Sequence, residues 1–117
     1  MKRTPLRAMS PKRRSQLAER KQVREQVLER DGGCVFWSRA WESAGWLPGD
    51  LVGAPTRCTD TLEVHEVIPR SMWSGGWLVP DNCVTLCGGP NGHHAWVTDH
   101  PAEAHRRHLH GFSWERP

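Results

Sequence analysis

From Ser10 to Asp31 the apolar positions Leu17, Val23, Val27 and Leu28 form one narrow stripe through residues that are mostly Lys, Arg, Glu and Gln. That pattern predicts a helix over about residues 11 to 30, with Ser10 as N-cap and Pro11 at the first helical position, where a missing N–H is harmless. Asp31-Gly32-Gly33 supplies the stop, because glycine takes left-handed dihedrals without strain. Residues 1 to 9 show no periodicity and carry Pro5, and read as a flexible basic tail.

Beyond the helix the pattern loosens. Residues 34 to 58 carry Trp37, Trp41 and Trp46 among Pro48, Gly49, Gly53 and Pro55, which reads as a loop-rich excursion whose tryptophans fill a small core. Thr61 to Pro69 is β-branched and partly alternating, hence a strand closed by proline. Gly75-Gly76 marks a turn, and Cys83 to Cys87 is a second short apolar run. The glycine-rich stretch from Gly88 to Gly92 precedes a helix from His93 to about Asp99. A further helix is expected from Pro101 to near Gly111, capped by Asp99 or His100, with Phe112 and Trp114 docked on the body. The second half therefore runs strand, loop, strand, helix.

Length and charge narrow the class. At 117 residues the chain has room for one modest domain, and no apolar run approaches the roughly 18 residues of a membrane span. The start, Met1-Lys2-Arg3-Thr4-Pro5, lacks the apolar core of a secretory leader, so a cytoplasmic protein is expected. Formal charge is +3, but residues 1 to 30 carry ten Lys and Arg against three Glu, and the rest carries six against ten acids. A basic arm of net +7 before a body of net −4 is the asymmetry of an arm that neutralises phosphates. A merely solubilising arm would give the same totals. Two units follow: residues 1–30, a basic tail and helix, and residues 31–117, the body.

Cys34, Cys58, Cys83 and Cys87 occur with seven histidines. In a reducing compartment such a set points to metal more often than to disulfides. Three pieces follow in order: His65-Glu66 with Pro69, Arg70 and Ser71; then Asp81-Asn82; then Leu86-Cys87 with His93-His94. A histidine on a strand and another on a facing helix can hold one divalent cation, and an asparagine in the connecting loop can pin the strand.

At these residues the sequence resembles the HNH endonucleases, in particular the small stand-alone HNH proteins of phages, over about residues 31 to 110. The elements that carry the resemblance are His65-Glu66, Pro69, Gly75-Gly76, Asn82, Leu86-Cys87 and His94, together with the Arg/Lys-rich helix before Asp31-Gly32-Gly33-Cys34. It implies an α+β fold with a ββα-metal (His-Me finger) core. It further implies hydrolysis of DNA phosphodiester bonds with Mg²⁺, Mn²⁺ or a similar ion, and a place beside a phage packaging terminase in the host cytoplasm. His65 and His94 take the metal-ligand positions, and Asn82 takes the central asparagine. Glu66 stands where the family usually has its histidine general base. Two assignments stay open: Glu66 as base with His65 on the metal, or His65 as base with Glu66 on the metal or orienting it.

The resemblance also implies a structural zinc, here from Cys34, Cys58, Cys87 and His93, with Trp37 where a close partner of Cys34 would stand and Cys83 left to the core. Thr98 occupies the place of a further ligand one turn after His94, and His100 is an off-face candidate. His105, His108 and His110 read as a solvated helix face. The candidate DNA contacts are Lys2, Arg3, Arg7, Lys12, Arg13, Arg14, Arg20, Lys21, Arg24 and Arg70. The alternative is a zinc-containing module that binds DNA or a protein without catalysis.

Overall fold

The computed structural model of the chain describes residues 10–37, 54–106 and 108–116. The basic tail, with Lys2, Arg3 and Arg7, lies outside them, as do Trp41 and Trp46. Helix α1 spans Pro11–Asp31, strand β1 Leu62–Glu66, strand β2 Cys83–Cys87, helix α2 His93–Asp99 and helix α3 Pro101–Arg106. Short 3-10 turns occupy Gly76–Leu78, Pro80–Asn82 and Ser113–Glu115. The result is a small α+β arrangement around one antiparallel pair of strands. Among the described residues no helix is long and apolar enough to cross a membrane.

Helix α1 begins and ends as its sequence predicts. The Ser10 hydroxyl accepts the Arg13 N–H at 3.2 Å. Gly32, at φ +67°, returns its own N–H to the Leu28 carbonyl at 3.0 Å. Only the second half of the stripe is buried: Val23 and Val27 pack on Val64 and Cys83, with Leu28 partly covered. Leu17, in the first half of α1, remains 41% exposed among the described residues.

The end of α1 is fastened by charge. Arg30 pairs with Asp31 at 2.8 Å and donates to the carbonyls of Cys83 at 2.6 Å and Pro80 at 3.1 Å. Asp31 in turn accepts the Thr85 N–H at 2.8 Å, and Val35 N–H donates to Thr85 O at 2.9 Å. Residues 31 to 35 thereby cover the free edge of β2, which would otherwise offer unpaired amides.

The strands pair with Leu62 opposite Cys87 and Glu66 opposite Cys83. Because side chains alternate between faces, Val84 and Leu86 enter a core with Phe36, Trp96, Val97, Ala104 and Leu109, while Cys83 faces α1. β1 is shorter than the expected strand: Val67 N–H already turns to Asn82 O at 2.8 Å, and Ile68 and Pro69 belong to the following loop.

Helix α3 ends at Arg106, not near Gly111. His108 sits at φ +60°, with His108 N–H on His105 O and Leu109 N–H on Ala104 O, the paired bonds of a left-handed helix stop. That stop drops Leu109 into the core. Gly111 then donates to Val67 O at 2.8 Å, so residues 109–111 run alongside the chain leaving β1. A Cβ at Gly111 would stand 3.0 Å from Ile68 Cγ1, which is why the closest approach falls on glycine.

Candidate metal centre and histidine cleft

Four chain segments converge beside the end of β2. Cys34 follows the α1 stop, Cys58 precedes β1, Cys87 closes β2 and His93 opens α2; their four ligand atoms all lie within 4.8 Å of one another. His93 Nδ1 is 3.1 Å from Cys87 Sγ, 3.5 Å from Cys34 Sγ and 3.7 Å from Cys58 Sγ. Tetrahedral zinc, with bonds of about 2.3 Å to sulfur and 2.0 Å to nitrogen, asks for S···N separations of about 3.5 Å. Donor types and spacing both fit a structural metal such as zinc. His93 Nε2 donates to Pro55 O at 2.6 Å, and since a carbonyl only accepts, this leaves the Nδ1 lone pair facing the three sulfurs.

The surroundings enclose the cluster. Phe36 stacks flat on His93 with centroids 4.1 Å apart, and Trp37 meets it edge-on, so the centre is walled by aromatic rings. Burial pushes the Cys34 thiol up to about 12. Burial alone would raise Cys87 too, but N–H donors from His93 and Thr59 bring it below its ordinary value. Cys83 stands apart, fully buried under α1 with its sulfur 3.6 Å from the Arg20 guanidinium.

On the other side of α2 lies a cleft of about 300 Å³ lined by His65, Glu66, Arg70, His94, Thr98 and His110, among others. His65 is buried on β1, and its Nε2 donates to Leu109 O at 2.6 Å. Burial lowers its pKa to about 4 against the pull of that carbonyl, so the ring is neutral with the Nδ1 lone pair available. His94, on the first turn of α2, has Nδ1 3.3 Å from Glu63 Oε2. The Gly89 N–H holds the Glu63 carboxyl below its ordinary range, so Glu63 accepts from His94 Nδ1. The two imidazoles meet edge to face at 5.1 Å. Their polar contacts use different ring nitrogens, Nε2 in His65 and Nδ1 in His94.

His65, Glu66 and His94 thus share one cleft, but Glu66 is ion-paired with Arg70 at 2.6 Å. Consecutive residues of a strand point to opposite faces, so it is Glu63, two residues before His65, that reaches His94. Sequence reasoning missed Glu63, although the period of two carried the signal. It also missed the Leu109 carbonyl, whose approach depends on the helix stop at His108. Among the described residues the Cys34, Cys58, Cys87 and His93 set is the one group of three or more metal-ligating side chains within reach of a single ion.

The other candidates separate cleanly. Asn82 is buried, accepts Ile68 N–H at 2.9 Å and donates to the Ile68 and Gly76 carbonyls, both at 3.1 Å, so it clamps the loop between the strands. His100 is turned from the cleft: it stacks on Trp96 at 4.6 Å and bonds the Trp96 carbonyl. Thr98 bonds back to His94 O. His105 pairs with Glu115 at 2.9 Å, which ties α3 to the last turn. Along α1, Lys12, Arg13, Arg14, Lys21 and Arg24 are exposed, whereas Arg20 points inward to Trp77 O at 2.6 Å and acts as a strut. Arg70 is exposed and lies over the Trp77 ring, 4.6 Å from its centroid. No protein-family model matches this chain, and neither the curated proteins nor the solved structures yield a match.

Proposed function

We propose that the chain is a divalent-metal-dependent nuclease of the HNH type that hydrolyses DNA phosphodiester bonds, its ββα unit braced by zinc on Cys34, Cys58, Cys87 and His93. The observation that carries this reading is a pair of imidazoles in one cleft with centroids 5.1 Å apart, His65 bonded through Nε2 to Leu109 O and His94 through Nδ1 to Glu63. His65 and His94 would hold an ion such as Mg²⁺ or Mn²⁺, which supplies positive charge to the phosphate and to the leaving oxygen. Glu66, on the same cleft, takes a proton from the attacking water. Arg70, across the Glu66 pair, offers its guanidinium to a phosphate oxygen. Asn82 keeps the loop from Ile68 to Gly76 from moving these groups apart. The exposed Lys and Arg of α1 neutralise flanking phosphates.

Incubating supercoiled plasmid with Mg²⁺, Mn²⁺ or Ni²⁺ tests the reading. Wild type nicks or linearises it with at least one ion, and His94→Ala and Glu66→Ala lose about 100-fold or more of that rate. The Glu66 carboxylate is already paired with Arg70, which favours a second reading, a zinc module that binds DNA without cutting it. Wild type that shifts plasmid in a gel yet leaves it intact with every ion selects that second reading.

A further inference from the structure

The C-terminal segment places an aromatic ladder beside the cleft. Residues 109–111 are fastened along the exit of β1, so His110 enters the cleft wall while Phe112 lies just outside it. The Phe112 ring meets His110 edge to face at 5.4 Å, and Trp114 stacks on Phe112 with centroids 4.8 Å apart and planes 14° off parallel. Trp114 ends the ladder in solvent at 78% exposure, the most exposed large hydrophobic side chain among the described residues. It does not dock on the body, because the Ser113–Glu115 turn, held by Glu115 on Phe112 N–H and on His105, presents it outward.

An indole with one face supported and the other open to water offers a flat apolar surface for stacking. The charge around it selects the partner. Arg116, two residues on, lies over Trp73, 5.8 Å from its centroid, and Arg70 lies over Trp77 at the cleft. A guanidinium held against an indole face two residues from a solvent-facing tryptophan, with a second such pair at the cleft, suits a polyanion that carries flat rings.

We infer that Trp114 stacks on an unpaired nucleobase of a DNA strand whose phosphates lie along the cleft, with Phe112 and His110 supporting it from behind. This rests on the nucleic-acid reading above and adds a strand preference to it. A paired base is already stacked in its duplex, so only an unpaired or extruded base offers its face. Trp114 is a positioning residue, not one that touches the reacting bond.

Fluorescence anisotropy of the full chain, without added divalent ion, tests this with two labelled strands of equal length, oligo-dT and the same backbone carrying abasic sites. Wild type is expected to bind oligo-dT about tenfold more tightly than the abasic strand, and Trp114→Ala to lose that preference while binding the abasic strand as wild type does. Trp114→Phe restores much of it. Equal affinity of wild type and Trp114→Ala for oligo-dT, or failure of wild type to bind either strand, overturns the inference, while the plasmid assay decides the nuclease reading separately. A dimer in sedimentation that Trp114→Ala abolishes, with oligo-dT affinity unchanged, assigns the indole to a second copy of the chain and overturns it as well.

Discussion

A single proton position decides what each histidine can do. His93 and His65 both give Nε2–H to a backbone carbonyl, Pro55 O and Leu109 O, and both therefore present Nδ1. His94, the neighbour of His93, bonds Glu63 through Nδ1 instead. Adjacent residues on a helix point about 100° apart, and this turn sends one imidazole to the sulfur cluster and the next to the cleft. Replacing Cys87 by Ser removes the most central sulfur, 3.1 Å from His93 Nδ1. Zinc content measured by atomic absorption is then expected to fall from about one per chain to near none, with a lowered thermal midpoint, because structural zinc is folding free energy. Glu63→Gln keeps size but can present N–H instead of oxygen to His94. If the cleft is a nuclease site, plasmid nicking falls about 10- to 100-fold with circular dichroism unchanged. The cluster of Cys34, Cys58, Cys87 and His93 was named in the sequence through the resemblance; Glu63 and Leu109 O were not, because each acts through the fold that brings it near.

At the scale of elements, α1 and β2 are joined by one charged corner more than by apolar contact, since α1 buries fully only Val23 and Val27. Burial would raise the Asp31 carboxyl, but the Arg30 guanidinium and the Thr85 N–H outweigh it and hold Asp31 below its ordinary value. A carboxyl depressed in the folded state contributes stability above its unfolded pKa, about 3.9. That contribution fades as pH falls through the lower folded value. Asp31→Asn is expected to cost about 1.5 to 3 kcal/mol at pH 7. Urea midpoints should show the difference from wild type shrinking towards pH 3. Helix α1 and both strands were readable in the sequence because capping and short apolar runs are local signals. The end of α3 was not: a histidine, and not a glycine, takes the left-handed position at His108, where the tertiary pull of Leu109 into the core outweighs local preference.

For the molecule as a whole, the described cations of the +7 segment all lie on one helix, α1. Four of the exposed cations, Lys12, Arg13, Lys21 and Arg24, lie on α1, while Arg20 and Arg30 bond the body and fasten the helix. If α1 tracks a DNA backbone, the logarithm of affinity falls linearly with the logarithm of salt, by about 0.9 per phosphate neutralised. Replacing Lys21 or Arg24 by Gln then lowers that slope by about one each, weakening all sequences alike. Arg20→Gln should instead lower stability, since it removes the bond to Trp77 O. Charge totals in the sequence could announce a basic arm, but not which arginines serve as struts, because that depends on where α1 crosses the sheet.

The sulfur centre has one more consequence, for chain topology. Cys34 and Cys58 bracket 23 residues, and ligation of both to one ion would close that stretch into a ring whose ends are fixed whatever lies between them. The entropy of closing such a ring grows only as the logarithm of its length, about 0.6 kcal/mol for each doubling. On ring-closure entropy alone, a change in the number of residues between the two cysteines therefore costs little so long as Val35, Phe36 and Pro55 keep their places on Thr85, in the core and on His93.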